Sequence, residues 1–158
     1  SQPRICRQEQ IDIVFPYIEP EVAILGRKRE PIEETGARLT TVAHESLEIA
    51  CDKWYTTQLF KDLQLPTPDS WLPDNIPLDS LDYPVFIKPR RGSASKDAYR
   101  LNSEKELKFF TDYVCNPIIQ QFVQGTELTT DVMCDLEGNV LTVVSRQRIA
   151  VRGGLVCF

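Results

Sequence analysis

The chain has 158 residues, of which 42% are hydrophobic and 26% charged; this balance excludes a disordered tail and fits one domain or two small ones. The net charge of −5 at pH 7 argues against a nucleic-acid reader, which needs a basic face to displace counterions. No apolar run is long enough to span a bilayer, and the N-terminal segment lacks the apolar core of a signal peptide. We therefore expect neither a nucleic acid nor a membrane among its partners.

The first part of the chain predicts the start of an α/β layer. Residues 11–17 are typical of a buried parallel strand, residues 20–35 of a helix that a proline breaks or kinks, and residues 37–43 of a second strand. One or two helices are predicted over 45–64. Five of the eleven prolines then lie within 65–84. Because proline fixes φ and lacks a backbone donor, this stretch excludes long regular elements and predicts a domain boundary.

After the prolines the predicted elements become shorter and richer in strands. A strand at 84–89 is followed by a basic loop of small residues at 90–97 and a strand at 98–101. Ser103 and Glu106 form a capping-box pattern, which predicts an amphipathic helix that ends near residue 113. The remaining predicted strands, of which the last two form an antiparallel hairpin, cover 116–123, 127–135 and 140–149.

The cysteines indicate the compartment rather than the site. Their number is odd and none forms a CxxC pair, so neither a disulfide framework nor a zinc site is expected. We interpret them as reduced thiols and expect a cytoplasmic protein. The five cysteines are Cys6, Cys51, Cys115, Cys134 and Cys157.

The loop that follows the strand ending at Lys88 is the main candidate for a functional site. Arg90, Arg91 and Lys96 surround the small residues 92–95. Small side chains allow backbone N–H groups to approach an anion and to cradle phosphate oxygens, while nearby cations add Coulomb attraction. On its own, such a loop is more often a solvated turn with incidental charge.

Two features further along the chain extend this candidate site toward a nucleotide. Gln120 and Gln121 lie near the end of an apolar strand, where an apolar slot and backbone groups suit an adenine ring. Glu127 opens the next strand, and its carboxylate can accept hydrogen bonds from ribose hydroxyls. The alternative is that Glu127 is an ordinary polar residue at the start of a strand.

Three successive segments resemble the ATP-grasp enzymes. Their sequences are DKWYTTQLFKDLQLPTP, YPVFIKPRRGSAS and IIQQFVQGTELTTDVMCDLEGNVLTVVSRQRI. The resemblance runs from about residue 11 to the end of the chain and is strongest to the carbamoyl-phosphate synthase large-subunit-like group. The order and spacing of the three segments carry the resemblance.

The resemblance implies an α/β (α+β) fold in two parts. A partial pre-ATP-grasp parallel α/β domain and a connecting helix are expected over 1–64, and a proline-rich linker over 65–82. An ATP-grasp nucleotide-binding subdomain with an antiparallel sheet is expected over 83–158, with its C-terminal part absent. The opening strand and helix of the first domain also have no counterpart.

The resemblance also implies roles for individual residues. Lys53, before a helix, and Lys88, on a strand, match the basic residues that bind the nucleotide phosphates. Glu127 matches the acid that binds the ribose. Arg146 and Arg148 are expected to face the transferred phosphate or the acceptor, as catalytic residues. The flexible loop over the phosphates corresponds to Gly92, Ser93, Ala94 and Ser95, and the hinge that contacts adenine to Gln121, Phe122 and Val123.

The activity implied by the resemblance is that of an ATP-dependent ligase with ATP and Mg²⁺ as cofactors. ATP phosphorylates a carboxylate to an acyl phosphate, and an amine or ammonia then displaces phosphate. The expected partners are therefore ATP and small-molecule carboxylate and amine substrates. The sequence does not identify the acceptor or the oligomeric state, and a homodimer is kept as one arrangement.

Two departures from the family pattern keep alternatives open. Ala94 and Asp97 occupy expected glycine positions, and Asp97 brings a negative charge toward the phosphates. The magnesium ligands of the family, an acid followed by Glu-x-Asn, have no match here, so we expect them beyond Phe158 in a longer protein. The alternatives are a non-catalytic nucleotide-binding or interaction module with the same fold, and an unrelated α+β domain.

Overall fold

The computed structural model describes residues 1–152 and 155–157, which divide into two compact units, Ser1–Cys51 and Asp52–Phe158. The first unit contains α1 (Gln2–Gln8), β1 (Ile13–Val14), α2 (Glu19–Gly26), α3 (Arg29–Glu33), β2 (Arg38–Leu39) and α4 (His44–Ala50). Strands β1 and β2 pair in parallel, with Ile13 opposite Arg38. The predicted α/β opening is confirmed, whereas α1 was not predicted.

Two details of this unit differ from the sequence expectations. The first strand is not buried, since 60% of Ile13 is exposed. The single helix expected over 20–35 is two helices, and the break between α2 and α3 precedes Pro31. Pro31 lies in the first turn of α3, where a missing N–H removes no intrahelical hydrogen bond. The small core of this unit is formed by Cys6, Ile32, Ala37 and Leu39.

The second unit is built on a four-stranded antiparallel sheet in the order β3-β6-β4-β5. Its strands and helices are α5 (Lys53–Asp62), β3 (Ser70–Trp71), β4 (Val85–Pro89), β5 (Tyr99–Leu101), α6 (Glu104–Tyr113) and β6 (Pro117–Gln121). A separate antiparallel hairpin follows, made of β7 (Leu128–Cys134) and β8 (Val140–Gln147). A last short hairpin pairs β9 (Ala150–Arg152) with β10 (Leu155–Cys157), and neither of these two strands was predicted.

Helix α6 packs on one face of the four-stranded sheet. The predicted capping pattern is present: Glu106 N–H donates to Ser103 Oγ at 3.3 Å, and Asn102 N–H donates to Glu106 Oε2 at 2.7 Å. The buried residues of this core are Val85, Ile87, Leu101, Leu107, Val114 and Ile119. Because side chains alternate along a strand, burying Val85 and Ile87 leaves the residues between and beyond them on the opposite face.

The proline-rich stretch belongs to this second unit. It contributes β3 and two 3₁₀ turns, Pro73–Asn75 and Leu78–Ser80, and its Trp71, Ile76 and Leu81 pack against the core. The division between the two compact units falls at Cys51/Asp52, ahead of α5. Prolines prevent long elements here, but they do not prevent the apolar side chains between them from being buried. Among the described residues, no helix combines the length and the hydropathy needed to cross a membrane.

Candidate functional site

Strand β4 places Lys88 in the wall of an open cavity. Val85 and Ile87 are fully buried in the core, so Phe86 and Lys88 face the other side of the sheet, where both line a cavity of about 910 Å³. Further wall residues come from the start of α5, from the loop after β4 and from Glu127. Burial, and then repulsion from the Lys53 ammonium, lower the pKa of Lys88. An anion bound between the two lysines would oppose both effects, because an opposite charge favours the protonated form.

Lys53 reaches the same cavity from the first position of α5. Its backbone N–H donates to the Arg90 carbonyl oxygen at 2.9 Å. Its Nζ donates to the Gly92 carbonyl oxygen at 2.7 Å and to the Arg90 carbonyl oxygen at 3.4 Å. These bonds attach the beginning of α5 to the root of the loop that follows β4. The structure thus brings together Lys53 and Lys88, which the sequence predicted as phosphate-binding residues.

A buried ion pair lies behind the two lysines. The carboxylate of Asp52, which is 2% exposed, accepts two hydrogen bonds from the Arg90 guanidinium, Nε–Oδ1 at 3.0 Å and Nη2–Oδ2 at 2.9 Å. It also caps α5 by accepting from Trp54 N–H at 3.0 Å, and Arg91 Nε lies 3.4 Å from Oδ2. Burial alone raises the pKa of Asp52, but the bonds from Arg90 and Trp54 outweigh it, and the net pKa is lowered.

Sequence reasoning did not assign a role to the Asp52–Arg90 pair. The sequence does contain a signal for Asp52, because an aspartate directly before a helix is a common N-cap. The partner is 38 residues away, and no local pattern indicates it. The sequence grouped Arg90 with the cations around the loop. In the structure its guanidinium does not line the cavity but lies 5.3 Å from the Tyr55 ring centroid.

Four residues of the loop have the positive φ angles that glycine adopts most readily, but only one of them is a glycine. Gly92 has φ of 113°, and the left-handed region is also occupied by Ala94 (59°), Ser95 (54°) and Asp97 (53°). Side chains with a Cβ adopt this region at a cost, while glycine does not. Ala94 and Asp97 are the positions at which the family pattern led us to expect glycine. All four residues line the cavity.

Glu127 lines the cavity as well, and it is paired with a residue that the sequence had assigned to catalysis. Arg148 Nη1 donates to Glu127 Oε1 at 2.6 Å, and the Arg148 backbone N–H donates to the Glu127 carbonyl oxygen at 2.9 Å. Arg146 forms an ion pair with Asp131 of the neighbouring strand. Among the described residues, the cavity wall includes Glu127 but neither arginine.

The predicted hinge lies at the end of β6. The pairing register puts Gln120 opposite Phe86 and Gln121 opposite Val85. Gln120 therefore shares the cavity face of the sheet with Phe86, and its Nε2 donates to Ser70 Oγ at 2.8 Å. Of the residues that the sequence selected, Gln121 is exposed, Phe122 lies 4.5 Å from Arg100 Cζ by its ring centroid, and Val123 is 65% exposed. Neither Gln120 nor the three predicted hinge residues belong to the cavity wall among the described residues.

The chemistry of the described residues fits a polyanion better than a metal ion. Three lysines, Lys53, Lys88 and Lys96, and a turn of small residues line one cavity, which suits phosphate groups. Among residues 1–152 and 155–157, no group of three or more His, Cys, Asp or Glu side chains is placed to hold a metal ion. The described residues of the cavity wall are therefore suited to phosphate groups.

Comparison with known families gives a direct match. A family model described as an ATP-grasp domain matches residues 50–157, which is more than half of the chain. This range contains the cavity, both lysines and the two hairpins.

Curated relatives of this chain include ligases and a synthase. A D-alanine–D-alanine ligase of Petrotoga mobilis is 29% identical over 129 residues, covering 79% of this chain and 43% of the relative. A carbamoyl-phosphate synthase of Methanobrevibacter smithii is 22% identical over 139 residues, covering 84% of this chain and 38% of the relative. The chain thus spans less than half the length of these relatives.

Solved structures show the same fold. The biotin carboxylase domain of Hydrogenobacter thermophilus 2-oxoglutarate carboxylase, solved with MgADP, ADP and bicarbonate, matches with a TM-score of 0.80 at 15% identity, covering 98% of this chain and 38% of that one. The N5-carboxyaminoimidazole ribonucleotide synthetase of Thermus thermophilus matches with a TM-score of 0.68 at 21% identity, covering 91% and 39%. From the family match, supported by these relatives and this fold, the chain belongs to the ATP-grasp family of ATP-dependent ligases.

Proposed function

We propose that this chain carries the ATP-binding part of an ATP-dependent ligase that activates a carboxylate as an acyl phosphate for attack by an amine or ammonia, as in carbamoyl-phosphate synthase-like enzymes. The observation that carries the proposal is the convergence of Lys53 and Lys88 on one open cavity beneath the loop that follows β4. The two lysines come from different elements, and a phosphate bound between them would be attracted by both ammonium groups.

ATP would be held by groups on three sides of the cavity. Lys53 and Lys88 neutralise charge on the phosphates, and the backbone of Gly92–Ser95 covers them. Glu127 accepts hydrogen bonds from the ribose hydroxyls after exchanging its bond with Arg148. The adenine lies against the end of β6, where the predicted Gln121–Val123 hinge is joined by Gln120.

The proposed reaction has two displacements. A carboxylate oxygen of the substrate attacks the γ-phosphorus, and ADP leaves. The amine or ammonia then attacks the acyl carbon, inorganic phosphate leaves, and the amine loses a proton. The protein contributes mainly positioning and charge stabilisation in such a transfer. Arg146 and Arg148 are proposed to face the transferred phosphate or the acceptor, which requires each to leave its present acidic partner.

Magnesium is the cofactor that the family implies, and bound Mg²⁺ supplies charge neutralisation between phosphate oxygens. The described residues do not form a set of ligands for it. We therefore assign no magnesium ligand within them.

Thermal unfolding with and without Mg-ATP tests the binding site. A ligand that binds only the folded state stabilises it by about 2.7 kcal/mol at a hundredfold excess over its dissociation constant. We expect the midpoint of the parent chain to rise, that of Lys88→Ala to stay, and that of Lys105→Ala to rise like the parent. Lys105 is an exposed lysine of α6 away from the cavity, so it controls for loss of charge alone. An unchanged midpoint in the parent would contradict the proposal.

The second candidate function is a nucleotide-binding module without catalysis. Asp97 favours it, because this carboxylate lines the cavity and opposes phosphate charge. The two candidates differ in turnover. A ligase forms ADP from ATP when its carboxylate substrate is supplied, and forms the amide product only when the amine is added as well. A binding module raises its unfolding midpoint with ATP and forms no ADP with any substrate pair.

A further inference from the structure

We propose that Asp52 and Arg90 are positioning residues for the phosphate site: their ion pair fixes the root of the loop and, through it, the ammonium group of Lys53. This inference rests on the proposed function, since it assigns these residues a role in binding the ATP phosphates. Neither side chain is itself a phosphate ligand in the proposal, because neither belongs to the cavity wall among the described residues.

The pair has the geometry of a rigid connection. Asp52 is almost completely buried, and Arg90 binds it with two hydrogen bonds of 3.0 and 2.9 Å. A bidentate guanidinium–carboxylate contact restrains orientation as well as distance. The Tyr55 ring beside the guanidinium further limits its movement. One end of the pair is the N-cap of α5, and the other is the first loop residue after β4.

The position of Lys53 depends on that connection. Its backbone N–H and its Nζ both donate to carbonyl groups of the loop root, at 2.9 Å to Arg90 and 2.7 Å to Gly92. If the ion pair opened, these carbonyls would no longer be held next to the start of α5. The distance between the ammonium of Lys53 and Lys88, which is carried by β4, would then be less closely restrained.

A preformed site binds more tightly than one that must be ordered by its ligand. Ordering a long lysine side chain and a loop root on binding costs conformational entropy, which reduces the observed affinity. Because the ion pair orders these groups when the chain folds, the loss of conformational entropy no longer accompanies ligand binding. Its loss should therefore weaken the contacts made to phosphates and leave contacts to the nucleoside unchanged.

The variant Asp52→Asn separates this role from helix capping. Asparagine is as good an N-cap as aspartate, so the bond to Trp54 N–H can persist while the charge is removed. Arg90→Lys keeps the positive charge but loses the bidentate fork. Asp62→Asn, an exposed aspartate at the end of the same helix, is the matched control.

The measurement is the dissociation constant of each variant for Mg-ATP and for adenosine. Titration calorimetry gives the value for Mg-ATP, and competition with Mg-ATP gives the value for adenosine. We expect Asp52→Asn and Arg90→Lys to weaken ATP binding by about tenfold, in the range of coupling between residues of one contact network. Adenosine binding should match the parent. The double variant should lose little more than either single variant, because each removes the same connection.

Three results would overturn the inference. Equal weakening of ATP and adenosine would mean a general structural role. Unchanged ATP binding in both variants, with the parent binding normally, would leave the proposed function intact and remove the positioning role. A parent chain that binds no ATP would remove both. If Asp52→Asn does not fold, Arg90→Lys still tests the inference, because it keeps a positive charge beside the buried Asp52 carboxylate.

Discussion

Arg148 and Glu127 are joined twice, by a side-chain ion pair of 2.6 Å and by a backbone hydrogen bond of 2.9 Å. The side chain of Glu127 is 61% exposed while that of Arg148 is 24% exposed, so the acid faces the cavity and the arginine lies behind it. Exposed ion pairs contribute little to stability. The bond can therefore be exchanged for hydrogen bonds to a ribose at small cost.

The first prediction concerns Glu127→Gln. An ionised acceptor forms stronger hydrogen bonds to hydroxyls than an amide does, so ATP affinity should fall by about tenfold. Binding of 2′,3′-dideoxy-ATP, which lacks both hydroxyls, should be weak in the parent and unchanged by the substitution. Calorimetric titration of both nucleotides measures this. Glu137→Gln, at the exposed turn of the hairpin, is the control; equal losses for both nucleotides would rule out a ribose contact.

The second prediction is that Lys88→Met stabilises the chain without ligand and removes its response to ATP. Methionine has a similar length and no charge, so both the desolvation of Lys88 and its repulsion from Lys53 disappear. We expect unfolding to cost about 0.5–1 kcal/mol more at neutral pH, after loss of the contact to the Phe86 ring. Urea unfolding with and without Mg-ATP measures both effects, with Lys105→Met as control.

The pH dependence of this gain has a definite sign. The pKa of Lys88 is lower in the folded state than its ordinary value of 10.5, so the folded chain binds fewer protons between those two values. The parent therefore gains stability as pH rises through that window, and the advantage of Lys88→Met should shrink toward pH 10.5. An advantage that stays constant with pH would contradict this origin.

The third prediction concerns the stability contributed by Asp52. Its pKa is lowered on folding, so its contribution is present above the ordinary value of 3.8 and is lost as pH falls through the folded value. Asp52→Asn should cost about 2–3 kcal/mol at neutral pH, because it leaves the Arg90 guanidinium without its buried charge partner. In acid the two proteins should converge. Chemical unfolding across this pH range provides the comparison, and a difference that persists in acid would argue against the ion pair.

The fourth prediction is that Asp97→Asn strengthens ATP binding. The carboxylate lines the cavity, and asparagine tolerates the same left-handed backbone while removing the charge. We expect about threefold tighter binding at low salt and less at high salt, because screening weakens exposed charges. Affinity titrations at two salt concentrations measure this, with the exposed Asp112→Asn of α6 as control. Weaker binding would show that Asp97 supports the loop instead.

Local patterns in the sequence were enough to predict several features. The apolar run that ends at Lys88 predicted β4, the Ser103–Glu106 pattern predicted the start of α6, and the segments 127–135 and 140–149 predicted the β7–β8 hairpin. These features depend on residues within a few positions of one another. The family resemblance extended them to an ATP-grasp domain, which the family match confirms.

Other features depended on contacts between distant segments. The register of β6 against β4 decides that Gln120, and not Gln121, shares the cavity face with Phe86, and a shift of one residue would reverse this. The compact division at Cys51 depends on apolar residues of the proline-rich stretch finding the core of the sheet. Neither follows from the residue types alone.

The sequence by itself determined which residue types lie at the candidate phosphate site, because the composition of a strand end and its following loop is a local property. Only the tertiary structure decided how those residues are held. Asp52 meets Arg90 across 38 residues, and Arg148 meets Glu127 across 21. Such pairs form only when the intervening chain closes on itself, and the free energy of that closure is spread over the whole sheet and its core.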